Sequence, residues 1–266
     1  MTADPIARGF RNRRVLPAVA AILALGLAPA EPGTILESTE SYSTRGQEIV
    51  VDVVTPSAPG RYPAVVVLHG NGGIGDGKRS GFHHLARVLA RSGYVALVPH
   101  YFGRQKPDAK SGRKNARSFD TWTRTVSAAV SHAARRSDVD PQRIGLVGSS
   151  LGSSVALSVA ARDRRVSAVV ENCGGLLPWE TLQARRLPPV LILHGDADTI
   201  VSVDEAYKLD HILEQAGVPH DIHIYPGAGH SFQGADRDDA DQRTVAFFDR
   251  YLKRMPPEDG KGVGNG

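Results

Sequence analysis

The chain has 266 residues, 41% of them hydrophobic and 23% charged, which suits one well-cored, water-soluble domain and excludes a largely disordered chain. The formal net charge is +4, but Arg8, Arg11, Arg13 and Arg14 against Asp4 put +3 of it in the first 30 residues, and the +1 left over offers no footprint for nucleic acid. Cys173 is the sole cysteine, so an intramolecular disulfide and a thiolate-rich metal site are excluded, and a small buried hydrophobe is the reading for that residue.

In chain order, the arginine-bearing start leads into an apolar run at 15–27, and Ala28-Pro29-Ala30 supplies the small-x-small pattern of a signal-peptidase site. Residues 1–30 are therefore expected to be a signal peptide, with the mature protein exported to the periplasm or secreted. The run is shorter than the roughly 20 residues that span a bilayer and contains Pro17 and Gly26, so no stable membrane insertion is expected after processing. Asn12-Arg13-Arg14-Val15-Leu16 also fits a twin-arginine signal, without the usual Ser or Thr before the pair.

Strand-like alternation follows at 34–41 and 47–55, and a Pro- and Gly-bearing break at 56–63 precedes Ala64-Val65-Val66-Val67-Leu68. That third run is apolar on both faces, as a parallel strand covered by helices on each side must be. Further strands are predicted at 94–98, 143–147, 166–170, 189–193 and 221–225, with helices at about 83–91, 118–136, 151–161, 203–216 and 239–254. This alternation predicts an α/β fold with a mostly parallel central sheet, helices on both faces and no cap domain. One domain over 31–254 and a flexible tail at 255–266 complete the organisation.

The strand at 143–147 runs into Gly148-Ser149-Ser150-Leu151-Gly152 and then a small-residue helix. This is Gly-x-Ser-x-Gly in a strand–turn–helix context, where a sharp turn lifts the serine hydroxyl above the sheet edge. Ser149 is excluded from that role because Val147 and Leu151 stand where its glycines should be. A serine hydroxyl needs a base within reach and a third group to orient that base. The strand at 189–193 ends in His194-Gly195-Asp196-Ala197-Asp198, and the next one ends in Pro226-Gly227-Ala228-Gly229-His230. Both loops leave carboxyl ends of strands, where open α/β sheets place their ligands. His230, between a Gly-rich turn and a predicted helix, is the candidate base, whereas His220 and His223 sit on or beside a strand. Asp196 and Asp198 are equally able to serve on residue type and spacing. The chain order Ser, Asp, His is that of the α/β hydrolases.

His69-Gly70-Asn71-Gly72-Gly73-Ile74-Gly75 follows the third strand. The Asn71 N–H there, with the Leu151 N–H, is expected to face an oxyanion, each such donor being typically worth about 2.7–4 kcal/mol of transition-state stabilisation. Gly70, Gly72 and Gly75 also spell Gly-x-Gly-x-x-Gly, but the next strand ends in Pro99-His100-Tyr101, without the acidic residue a dinucleotide fold requires. Gly72 to Arg79 approaches a phosphate-binding loop, yet Arg79 stands where a magnesium-binding Ser or Thr belongs.

The segments around Pro99-His100-Tyr101-Phe102-Gly103-Arg104, Gly195-Asp196-Ala197-Asp198-Thr199-Ile200-Val201 and Ala228-Gly229-His230-Ser231-Phe232, with the elbow at Ser150, resemble the dienelactone hydrolase family over about residues 47–254. In that family the acid is the aspartate three after the loop glycine, so the resemblance implies Asp198 rather than Asp196. It also implies a cysteine nucleophile and a glutamate, at whose positions this chain has Ser150 and Gly70. Of the family's two carboxylate-gripping arginines the first matches Arg104, while Gly234 stands at the second. The expectation is an ordinary serine carboxylic ester hydrolase acting on small or medium esters through an acyl-enzyme, with no cofactor and no metal. A dienelactone fits poorly as substrate, because a desolvated carboxylate wants both charge-assisted partners. Tyr101, Phe102, Trp122 and Trp179 are candidate cleft walls. Two other readings stay open: a peptidase or amidase on the same triad, and a non-catalytic binding protein on this scaffold.

Overall fold

A computed structural model describes residues 33–75, 80–103, 112–176 and 183–253; the expected signal peptide, Arg104, Trp179 and the expected tail lie outside them. Eight strands form one sheet: β1 (Ile35–Thr44), β2 (Gln47–Pro56), β3 (Tyr62–Leu68), β4 (Val95–Pro99), β5 (Val139–Ser149), β6 (Val166–Asn172), β7 (Val190–Gly195) and β8 (His220–Tyr225). Their spatial order is β1-β2-β4-β3-β5-β6-β7-β8. The β1–β2 and β2–β4 pairs are antiparallel and the rest are parallel. β1 and β2 turn through Arg45 and Gly46, at φ +48° and +73°, the positive dihedrals that a two-residue hairpin needs to match strand twist.

Among the described residues five α-helices cover the sheet: α1 (Gly81–Arg91), α2 (Gly112–Arg135), α3 (Leu151–Ala160), α4 (Asp204–Ala216) and α5 (Gly234–Phe248). The apolar run of β3 divides as its period of two dictates. Ala64, Val66 and Leu68 join the core beneath α2, α3 and α4, whereas Val65 and Val67 join the core beneath α1 and α5. From Gly152 onward every residue of α3 is buried. Its glycine, serines and alanines let it lie close between the sheet and α2. Among the described residues no helix is long and apolar enough to cross a membrane.

All eight expected strands are present, with bounds shifted by a few residues at their ends. α5 starts at Gly234 instead of near 239, and α2 at Gly112 instead of 118. The added turn of α5 is polar, with Asp236 near the positive end of the helix dipole, and it carries no apolar period by which a sequence reading could extend the helix.

Candidate active site

β5 ends at Ser149 and α3 begins at Leu151, leaving Ser150 alone between them at φ +54°, ψ −121°. A side chain held there is strained, and the neighbouring glycines show what maintains it. A Cβ on Gly148 would lie 2.3 Å from the Gly152 carbonyl oxygen, and one on Gly152 would lie 2.6 Å from those of Leu68 and His69. The Ser150 N–H donates to Asn172 O at 2.9 Å. Ser153 Oγ ties the turn from below, donating to Gly148 O at 2.7 Å and accepting from Asn172 N at 3.1 Å. The elbow is thus clamped between the ends of β3 and β6, and its hydroxyl-bearing residue keeps a conformation that isolated serine avoids.

The other two candidate residues arrive from the next two strands. Asp198, in the loop after β7, and His230, in the loop after β8, are joined by a hydrogen bond in which His230 Nδ1 donates to Asp198 Oδ2 at 2.7 Å. Asp198 Oδ1 accepts the N–H groups of Ile200 at 2.8 Å and Val201 at 3.0 Å. Burial works against its charge, but the Val201 amide, His230 and the Ile200 amide together hold Asp198 below the usual carboxylate range. With Nδ1 committed to the carboxylate, Nε2 of His230 is the nitrogen left to handle a proton. Asp196 is exposed and spends its carboxylate on the Gly227 N–H at 2.6 Å. It pins the histidine loop and leaves the imidazole to Asp198. Among the described residues no hydrogen bond links Ser150 Oγ to His230; such contacts are commonly long without substrate and tighten in the complex.

The loop after β3 lies beside the elbow, since Leu68 pairs with Gly148 in register. A Cβ on Gly70 would sit 3.2 Å from Ser150 Cβ, so this position takes glycine. Neither the Asn71 N–H nor the Leu151 N–H has an acceptor among the described residues, leaving both amides free for an oxyanion. The loop is braced from behind: His69 is buried, stacks on Tyr101 at 4.3 Å between ring centroids, and presents its carbonyl to Tyr101 Oη at 2.7 Å. Burial drives the His69 imidazole down to about 4, so it stays neutral at physiological pH.

This bracing corrects the expected cleft walls. Tyr101 is 1% exposed and Trp122 0% exposed, and both belong to the core beneath α2 with Phe102, which lies 5.0 Å from the Trp122 ring. Large aromatics following β4 fill space under the loop after β3 instead of lining a cleft.

Sequence reading also missed several buried polar groups around the site. His194, wholly buried, donates Nε2 to Val201 O at 3.0 Å and so stiffens the acid loop. Glu171, near the end of β6, is wholly enclosed, and among the described residues the Gly174 amide is its hydrogen-bond donor. Cys173 beside it has φ +47°, and its thiol is pushed up to about 12, chiefly by burial and further by the neighbouring carboxyls of Glu171, once that is ionised, and Asp198. Cys173, His194 and Asp198 bring metal-ligand atoms within 4.8 Å of one another. Both Asp198 oxygens are already engaged with N–H donors and the thiol resists ionisation, so the cluster is organised around a hydrogen-bonded acid. Glu171 falls in no sequence motif, and His194 opens the acid-loop segment without a role that residue type reveals; their burial marks them.

A model of the dienelactone hydrolase family matches residues 49–252. The chain is 28% identical over 247 residues to a carboxymethylenebutenolidase of Rhodococcus opacus, covering 85% of this chain and 95% of that protein. Its fold superimposes on a dienelactone hydrolase-like promiscuous phosphotriesterase from metagenomic libraries with a TM-score of 0.72 at 20% identity, covering 82% and 99% of the two chains. It also superimposes on a dienelactone hydrolase from Anabaena variabilis with a TM-score of 0.63 at 22% identity, covering 82% and 99%.

Proposed function

Because the chain belongs to the dienelactone hydrolase family, we propose that it is a serine hydrolase of carboxylic esters, with Ser150 as nucleophile, His230 as general base and Asp198 as the acid that orients it. Family membership supports hydrolysis of ester or lactone bonds. The observation that carries the serine reading is the His230–Asp198 hydrogen bond at 2.7 Å, made on the sheet edge where Ser150 occupies its strained turn.

His230 Nε2 takes the Ser150 proton as Oγ attacks the ester carbonyl, and the ionised Asp198 stabilises the imidazolium that results. The tetrahedral oxyanion is met by the Asn71 and Leu151 amides. On collapse His230 gives its proton to the departing oxygen, releasing the neutral alcohol and leaving an acyl-Ser150; water deprotonated by His230 then attacks the acyl carbon, and the proton returns to Ser150 as the acid leaves. Gly234 has no side chain to grip a substrate carboxylate, and at φ +53° it opens α5. This departure favours small or medium neutral esters over dienelactones.

The test compares rates on p-nitrophenyl esters of increasing acyl length for the mature domain and its Ser150→Ala variant. A fall in kcat on the order of 10⁶-fold is expected, as for removal of the nucleophile in a comparable triad. Equal rates in the two proteins would remove Ser150 from the mechanism, and faster cleavage of aminoacyl amides than of esters would make the chain a peptidase. If neither protein hydrolyses any ester and neither is labelled by a serine-reactive phosphonate, a binding protein on a hydrolase scaffold replaces this reading. We further propose export of the mature chain, expected to begin at Glu31; protein found only in the cytoplasm, with residues 1–30 retained in its mass spectrum, overturns it.

A further inference from the structure

Between α1 and α5, on the face of the sheet away from α3, lies a cavity of about 330 Å³ lined in part by Phe82, Ser149, His230, Phe232, Arg237 and Asp241. Five buried side-chain polar atoms among the described residues have no hydrogen-bond partner, and two of them, Arg237 Nε and Asp241 Oδ2, sit on residues that line this cavity. Asp241 Oδ2 lies 3.0 Å from His84 Nε2, out of line for a hydrogen bond. Enclosed polar atoms are normally satisfied by protein, water or ligand, and the volume falls in the small-molecule range of about 300–1,000 Å³.

The position of the cavity assigns it to one half of an ester. His230 lines it, and the elbow reaches it through Gly148 and Ser149, whereas Ser150, Asn71 and Leu151 do not line it. The group beside the histidine is the one that receives its proton, the departing alcohol. The chemistry of the lining narrows that alcohol further. Arg237 and Asp241 stand one helical turn apart on α5 and bring opposite charges to the same space, so a carboxylate drawn to the guanidinium meets the acid beside it. A hydroxyl satisfies both groups: it accepts from Arg237 Nε, and it donates to Asp241 as a carboxylate or accepts from it as an acid. Phe82 and Phe232 supply apolar walls for the carbon skeleton.

Resting on the serine-hydrolase reading, we infer that this cavity is the leaving-group subsite and that it selects esters whose alcohol carries further free hydroxyls, a glycerol- or sugar-type polyol. The experiment uses glycerol monobutyrate and propyl butyrate, which share an acyl group and differ in the alcohol's free hydroxyls. Wild-type kcat/KM is expected to favour the glyceryl ester by about tenfold or more, as sites with enclosed polar groups discriminate against partners that leave them unpaired. In Arg237→Met and Asp241→Asn the ratio should fall toward one. The same preference is read without turnover by NMR titration of the Ser150→Ala protein, which should bind the glyceryl ester about tenfold more tightly. Hydrolysis of both esters with a ratio near one and equal binding overturns the inference while the hydrolase reading stands. No turnover of either ester with the binding preference intact overturns the hydrolase reading and leaves the polyol subsite. A ratio that survives unchanged in both folded variants removes Arg237 and Asp241 from it.

Discussion

Asp198 and Glu171 are both buried carboxyls at the carboxyl-terminal edge of the sheet, one in the loop after β7 and the other at the end of β6, and their surroundings give them opposite charge states. Asp198 receives two backbone amides and the His230 imidazole, and these donors outweigh burial. Among the described residues Glu171 receives the Gly174 amide alone and its Oε2 has no partner, and burial pushes its carboxyl up to about 8. Burial by itself therefore does not say whether an acid at this edge is ionised; the number of N–H groups aimed at it does. A loop that turns its amides inward makes an ionised carboxylate, and a strand whose amides are spent on its neighbours makes a neutral acid.

The largest expected effect comes from removing the charge where the donors preserve it. Asp198→Asn should lower kcat for ester hydrolysis by about 10⁴-fold by offering His230 the wrong partner for its tautomer, while Asp196→Asn, which alters only the pin to Gly227, should cost less than about tenfold, since surface changes rarely exceed this. Steady-state kinetics of the two variants checks the assignment, and a reversed order would transfer the orienting role to Asp196.

Next is Glu171→Gln, read as stability against pH by chemical denaturation. The Glu171 carboxyl is protonated in the folded protein up to about 8 but ionises in the unfolded chain near its ordinary 4.5. Stability from this group is fully present below 4.5 and is lost as pH rises from there to about 8. Asp198 has the opposite sign: its contribution is present above its ordinary 3.8 and is lost as pH falls through its lowered folded value. The glutamine variant should match the wild type near pH 4.5 and exceed it by something on the order of 4–5 kcal/mol at pH 8. A difference independent of pH would mean that Glu171 is ionised in the fold and that the contrast with Asp198 fails.

The smallest expected effect concerns a neutral donor in the same region. Tyr101→Phe leaves the stack on His69 but deprives the His69 carbonyl of its donor, at a cost of about 1–3 kcal/mol for an enclosed acceptor. A thermal melt and kcat/KM on one ester measure the stability lost and any loosening of the loop that carries Asn71. An unchanged melt would show that the Tyr101 hydroxyl does not hold that carbonyl in place.

Much of this site was legible before the fold was known. Gly148 and Gly152 flank the only serine with glycines at both required offsets in a strand–turn–helix context, and the close approaches at those glycines give the physical reason. Residue type and spacing left Asp196 and Asp198 equivalent, since they occupy one short loop; the structure separates them by giving the first to a backbone amide and the second to the imidazole. The aromatic residues after β4 were misread as walls because composition does not distinguish an aromatic that lines a cleft from one that fills the space under it. Arg237 and Asp241 went unnoticed because a polar helical turn on a single sequence looks like a solvated face.

By itself the sequence determined the alternation of strands and helices, the elbow at Ser150 and the loops that carry Asp198 and His230, because these depend on side-chain period and on turn chemistry over a few neighbouring residues. Only the tertiary structure decided the order of strands across the sheet, the pairing of His230 with Asp198, the neutrality of Glu171 and the cavity beside His230. Each of these depends on contacts between segments far apart in the chain, and on how many hydrogen-bond donors the packed elements leave facing one buried group.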